Sequence, residues 1–177
     1  MNRILRKLPG VFLLGVLLAG CGYTTRSTLP PSIKTIYVAP FKNEIVLARD
    51  QGRQVYLPLM EVDVRNKIID RFMFDGRLRV AKEDNADLIL KGRLKSYRRG
   101  GLRYTENDDV EEYRIYVTVD LEMYNTRLGE VAWRERSFTG EAEYFIRGPL
   151  ASSESDAIKV AIDDLARRIV ERTIEDW

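Results

Sequence analysis

Between Glu112 and Asn125 the chain alternates without a break. Tyr113, Ile115, Val117, Val119, Leu121 and Met123 are apolar, and Arg114, Tyr116, Thr118, Asp120, Glu122 and Tyr124 between them are polar or amphipathic. Period two over this length predicts a strand with one buried face, because a helix would scatter the same positions around its whole circumference. A weaker alternation from Asp87 to Tyr97 sets Leu88, Leu90, Gly92 and Leu94 against Ile89, Lys91, Arg93 and Lys95, and predicts a second such strand. Thr126-Arg127-Leu128-Gly129 reads as a turn into a further strand over about 130–144 carrying Trp133 and Phe138. Ile33 to Phe41, rich in β-branched and aromatic residues, predicts the first strand, ended by Pro40.

Two stretches follow the helical period instead. Leu57, Met60, Val64, Ile68 and Phe72 form one stripe at spacings of three and four; Pro58 suits a first turn and Gly76 a left-handed stop, so a helix is expected over roughly 57–75. Ser152 to Asp156 caps a last helix with inner positions Ile158, Ile162, Leu165 and Ile169, closing at Trp177. The order is β-α-β-β-β-α. It predicts an α+β two-layer sandwich in which two helices cover one face of a four-stranded mixed or antiparallel sheet. The other face, with Tyr116 and Tyr124 beside Arg114 and Glu122, is either a solvated surface or the seat of a partner.

The amino terminus has a different grammar. Arg3, Arg6 and Lys7 precede an apolar run from Val11 to Leu18 that ends in small residues, the layout of a secretory signal peptide. Leu8 to Gly20 is thirteen residues, short of the ~20 needed to span a bilayer. Leu18-Ala19-Gly20-Cys21 resembles the lipobox of bacterial lipoproteins, in which the thiol receives a diacylglycerol and the signal is cut before the cysteine. Residues 1–20 are thus expected to be removed, 21–32 to be a lipidated tether rich in Thr, Ser and Pro, and 33–177 to be a single domain. Gly22 after the cysteine, where an Asp would retain the protein at the inner membrane, points to the outer membrane.

Composition narrows the chemistry. The 177 residues contain no His and one Cys, which excludes His-based acid–base catalysis, Ser/His/Asp and Cys/His nucleophiles, zinc sites of the His/Cys kind and any internal disulfide. The formal charge of +2 comes from 29 Lys+Arg against 27 Asp+Glu; loss of residues 1–20 takes away three cations and no acid, leaving −1. Overall basicity therefore offers no basis for a nucleic-acid role. No glycine-rich phosphate loop, EF-hand loop or repeat is present, and no cofactor or metal is indicated.

Cys21-Gly22-Tyr23, Ile36-Tyr37-Val38-Ala39-Pro40-Phe41-Lys42-Asn43, Ala86-Asp87-Leu88-Ile89-Leu90-Lys91-Gly92, Glu112-Tyr113-Arg114 and Gly129-Glu130-Val131-Ala132-Trp133 occur in that order. Taken together, this set resembles the LptE family of lipopolysaccharide-assembly lipoproteins, over almost all of residues 21–175. The resemblance implies a β-α-β-β-β-α domain, lipidated at Cys21, that plugs the LptD outer-membrane barrel, supports that barrel's assembly, binds lipopolysaccharide and helps place it in the outer leaflet. It implies no enzyme.

A lipopolysaccharide binder needs exposed cations, and Arg grips phosphate with two prongs. Arg98, Arg99 and Arg103 flank Gly100-Gly101 in the expected loop after the second strand, Arg147 lies before the last helix, and Lys95 is close in sequence. These five are the candidate lipopolysaccharide contacts; the same cluster also reads as a charged, solvated hairpin tip. Asp108, Asp109 and Glu111 nearby weaken its positive field. Arg114, Tyr116 and Tyr124 are the candidate barrel contacts. Two other classes compete: an adaptor lipoprotein that binds another envelope protein or peptidoglycan, and a hydrolase built on two carboxylates. The acidic pairs Asp108/Asp109, Glu111/Glu112 and Glu141/Glu143 sit among hydrophilic residues, without the apolar pocket that would split their acidities, so the hydrolase is disfavoured.

Overall fold

The computed structural model describes residues 29–45, 48–50, 53–55 and 58–175. Cys21, the signal segment, most of the expected tether, Leu57 of the helical stripe and the terminal Trp177 lie outside the described residues. The element order is β1 (Thr35–Val38), β2 (Lys42–Asn43), β3 (Ala48–Asp50), β4 (Arg53–Val55), α1 (Met60–Asp75), β5 (Arg79–Val80), β6 (Leu88–Tyr104), β7 (Val110–Asn125), β8 (Glu130–Phe145) and α2 (Glu154–Glu175).

The predicted α+β class holds, with a mixed sheet and two helices, but the sheet has six strands rather than four. Its order is β5-β1-β6-β7-β8, with β2 following β1 along the same edge of β6, while β3 and β4 form a separate two-stranded hairpin. β1 runs parallel to both β5 and β6, and β6, β7 and β8 form an antiparallel meander. β1 ends at Val38 and not at Phe41. Pro40 has no N–H to give to a ladder, and pairing with β6 resumes one residue after Phe41, at Lys42 and Asn43.

One face of the sheet holds the core. Leu88, Leu90 and Leu94 of β6 and Ile115, Val117, Val119, Leu121 and Met123 of β7 are buried beneath Met60, Val64, Ile68 and Phe72 of α1 and Ala161, Ile162, Leu165 and Ile169 of α2. The predicted stripe on α1 is the buried one. The helix itself starts at Met60, because Pro58 and a left-handed Leu59 (φ 61°) precede it, and it stops at Gly76, whose N–H donates to the Phe72 carbonyl at 3.0 Å. α2 approaches β8 closely enough that a Cβ on Gly140 would lie 2.4 Å from the Ala161 carbonyl oxygen.

β6 and β7 differ most from expectation. The sequence Arg98-Arg99-Gly100-Gly101 reads as a turn, yet β6 runs through it to Tyr104 and pairs with β7 as far as Val110. The true turn is Thr105–Asp109, where the Thr105 hydroxyl accepts from the Asn107 and Asp109 amides and Asp108 takes φ 62°. The candidate arginines Arg98, Arg99 and Arg103 therefore lie on a strand and not in a loop. A bulge between Leu94 and Ser96 shifts the register by one residue. Such a shift exchanges the two faces for the residues that follow, as far as the next irregularity between Gly101 and Arg103, which returns Arg103 to the open face. Tyr97 and Arg99 consequently face the helices, and Arg98 faces away from them.

Candidate functional site

The sheet face away from the helices is a ladder of ions and aromatic rings. Its rungs come from outward positions of β6, β7 and β8, which cross-strand register places side by side. At the β7–β8 turn end, Lys91 lies 5.4 Å from the Tyr124 ring and 3.7 Å from Glu122, which also accepts from Arg134 at 2.8 Å. The Arg134 bond holds the Glu122 carboxyl below its usual range, against a smaller effect of burial. Arg93 reaches Asp120 at 3.4 Å, and Thr118 and Thr139 share a hydrogen bond of 3.0 Å. Lys42, Lys91, Arg93, Arg134 and Arg136 line a concavity of about 460 Å³ here, with Asp120 and Glu122 among them.

Toward the β6–β7 hairpin the rungs become richer in arginine. The Arg98 guanidinium lies 4.0 Å above the Tyr116 ring, and Arg114 binds Glu143, with Glu141 3.9 Å away. The hydrogen bond with Glu143, and after it one with Tyr116, raise the Arg114 pKa above its ordinary value. Arg103 sits 5.4 Å over the Phe145 ring and 3.5 Å from Glu112, a carboxylate only 5% exposed. Arg147, in the loop after β8, lies 3.8 Å from Asp109 of the hairpin turn. Arg103 and Arg147 thus lie at the hairpin end of the molecule, and Arg98, Arg114 and Tyr116 on the half of the face that leads to it. Tyr124 lies eight residues from Tyr116 on the same face, roughly 26 Å along the strand.

The other candidates are placed differently. Lys95, at the bulge, binds Glu44 at 2.7 Å, and that bond lowers the Glu44 pKa. Arg99 faces the helix layer with its side chain 12% exposed; it donates to Glu154 at 2.7 Å and stacks 4.3 Å from the Tyr113 ring. Tyr97 donates to the other Glu154 oxygen at 2.7 Å, and burial followed by that carboxylate pushes its pKa up. This group fastens the first turn of α2 to the sheet.

Sequence reasoning missed the apolar component of the hairpin end. Leu102, Tyr104, Ile146 and Leu150 are exposed beside Arg103 and Arg147. The signal was present: Leu102, Arg103 and Tyr104 are contiguous, but reading the segment as a loop hid that they project past the ends of the helices. The acidic pairs show no two-carboxylate pocket. Glu141 and Glu143 both face Arg114, Glu112 is covered by Arg103, and Asp108 and Asp109 are exposed in the turn. Among the described residues, no group of three or more acids, His or Cys is arranged to hold a metal ion.

Comparison with known proteins agrees with this architecture. The family model described as LptE, lipopolysaccharide-assembly, matches residues 33–173. No curated protein matches the chain. Among solved structures, the chain is similar to protein XCC0632 from Xanthomonas campestris, with 13% identity, a TM-score of 0.53, and 85% of this chain and 91% of that one covered. It is similar to the hypothetical protein CT253 from Chlamydia trachomatis, with 14% identity, a TM-score of 0.50, and 80% and 96% covered. Rare lipoprotein B from Shewanella oneidensis is also matched, with 14% identity, a TM-score of 0.45, and 77% and 89% covered. At these identities the first two establish a shared fold and nothing more.

Proposed function

The chain belongs to the LptE family of lipopolysaccharide-assembly proteins, and from that premise we propose that it is a non-enzymatic outer-membrane lipoprotein, anchored at Cys21, that plugs an LptD-type barrel, supports its assembly and presents a lipopolysaccharide-binding end. The observation that carries this reading is the one-sided sheet. Both helices cover one face, and the other is a broad ladder of ion pairs and cation–ring contacts. The interior of a large outer-membrane barrel is polar, so a plug needs this kind of amphipathic, ionic exterior. Arg114, Tyr116 and Tyr124 are proposed to meet the barrel wall from that face.

Lipopolysaccharide combines phosphates with acyl chains, and the hairpin end combines both complements. Arg98, Arg103 and Arg147 supply cations, and Leu102, Tyr104, Ile146 and Leu150 supply exposed apolar surface. We place the contact there and leave two candidates outside it: Arg99, because it is covered by the helix layer and bound to Glu154, and Lys95, because it lies at the bulge, away from this end, and is bound to Glu44.

The test is an affinity pull-down of the tagged full-length protein from detergent-solubilised outer membranes of its own host, with mass spectrometry of the coeluting proteins. A stoichiometric large β-barrel supports the plug. A lipidated, folded protein that brings down no barrel overturns it and leaves the adaptor in its place.

A further inference from the structure

The end of the domain opposite the hairpin also exposes apolar side chains. Phe74 is 82% exposed, Met73 67% and Leu128 69%. Met73 and Phe74 lie in the last turn of α1, off its buried stripe, and Leu128 is in the β7–β8 turn. The topology brings both elements to the point where the chain enters the fold. Arg79, which opens β5 just after α1, donates its N–H to the Lys34 carbonyl immediately before β1. The β7–β8 turn is tied to the same place by Asp87, which accepts from the Lys34 and Thr35 amides and from Arg127.

We infer that this chain-entry end is a membrane-docking surface, with Phe74, Met73 and Leu128 dipping into the bilayer that holds the lipid on Cys21. The inference rests on the proposed lipidation, and chain length supplies its second support. Cys21 precedes Leu29 by eight residues, and Leu29 already packs against the core. Eight residues reach at most about 28 Å, so an anchored domain cannot leave the bilayer surface by more than that. Tethering at such range turns weak apolar contacts into intramolecular ones with a high effective concentration.

The surrounding charges suit a headgroup layer. Arg71 lies 5.4 Å from the Phe74 ring, and Lys34, Arg79 and Lys82 are exposed nearby. Glu83, Asp84 and Glu130 lie at this end as well. The near balance of charge leaves selection of the bilayer to the apolar side chains. In the plug, docking requires this end to stand clear of the periplasmic mouth of the barrel, where the bilayer surface lies within reach of the tether; β7, roughly 50 Å long, then carries the arginine-rich hairpin away from that leaflet into the lumen.

The experiment uses the full lipidated protein reconstituted in vesicles of phosphatidylethanolamine and phosphatidylglycerol with brominated acyl chains. An environment-sensitive fluorophore is attached at Phe74→Cys or Leu128→Cys, and at Tyr104→Cys or Leu150→Cys as controls on the far end. All four side chains are more than half exposed, so labelling leaves the core intact. Quenching at positions 74 and 128 is expected to exceed that at 104 and 150 by about threefold or more. Equal quenching at all four positions, in protein that floats with the vesicles, overturns the docking surface and leaves the lipid anchor standing. Protein that fails to float overturns the anchor, and this inference with it.

Discussion

Arg98 and Arg99 are adjacent in sequence and occupy opposite faces of the sheet. Arg98 lies 4.0 Å over Tyr116 on the open face, and Arg99 bonds to Glu154 at 2.7 Å under the helix layer. The bulge between Leu94 and Ser96 sets which of the two faces which way, and it separates two roles that the sequence presents as one basic cluster.

The two arginines are accordingly expected to fail in different ways when removed. Arg99→Ala leaves Glu154 partly buried without its cation, and should destabilise the domain by about 2–3 kcal/mol. For a domain of this size that is a fall of roughly 5–10 °C in Tm. Arg98→Ala removes an exposed cation–ring contact and should change stability by less than about 1 kcal/mol. In a titration at fixed salt it should weaken lipopolysaccharide capture, whereas Arg99→Ala, measured well below its Tm, should not. Equal Tm losses from the two variants would contradict the facing assigned here.

Asp87 makes stability depend on pH in a defined window. Burial opposes its ionisation, but the bonds from the Lys34 amide, Arg127, the Thr35 hydroxyl and the Thr35 amide outweigh it and hold the carboxyl down at about 2. The unfolded chain takes up this proton near its ordinary value of about 3.9. A depressed folded pKa gives stability that is complete above the unfolded value and is lost as pH falls through the folded one. The wild type should therefore lose about 2 kcal/mol between roughly pH 4 and pH 2 through this residue. Asp87→Asn should be less stable at neutral pH and show a flatter acid limb over that window, as followed by urea unfolding at a series of pH values. A variant that keeps the wild-type slope would show that Asp87 is not the group responsible.

What the sequence disclosed depended on how each element is specified. β7 was legible almost to the residue because its two faces differ in chemistry at every step, and α1 because one stripe recurs over four turns. β2 and β5 were not legible. Each is two residues long, Lys42-Asn43 and Arg79-Val80, and becomes a strand only because β6 and β1 offer it a neighbour. The length of β6 was hidden by Gly100-Gly101. Gly101 serves there not as a turn but as room for the Tyr104 ring, whose hydroxyl would lie 2.4 Å from any added Cβ. The bulge at Lys95 carries no mark in composition, so the facing of Arg98 and Arg99 could come only from the register. The candidate barrel contacts fell on the expected face because they belong to β7, where alternation is unbroken.

β8 is the far edge of the sheet, and a 16-residue edge strand invites pairing with another chain. Here it is closed from the side by α2. Asp164 accepts from the Glu141 amide at 3.1 Å, Arg168 donates to the Thr139 carbonyl, and beyond them the Ser152 amide donates to the Phe145 carbonyl at 2.9 Å. A left-handed Ser137 (φ 54°), at an irregularity in the pairing with β7, further breaks the line of the edge. Replacing Asp164 and Arg168 together by Ala should free the Glu141 N–H and Thr139 C=O for a second copy while leaving the buried face of α2 untouched. The expected result is concentration-dependent association of the double variant in sedimentation velocity, beyond that of the unsubstituted chain. Stability should fall by no more than about 2 kcal/mol, because the freed groups can still bond to water. If the double variant sediments as the parent does at every concentration, the irregularity at Ser137 alone is enough to protect the edge, and the two side chains serve only to fasten α2.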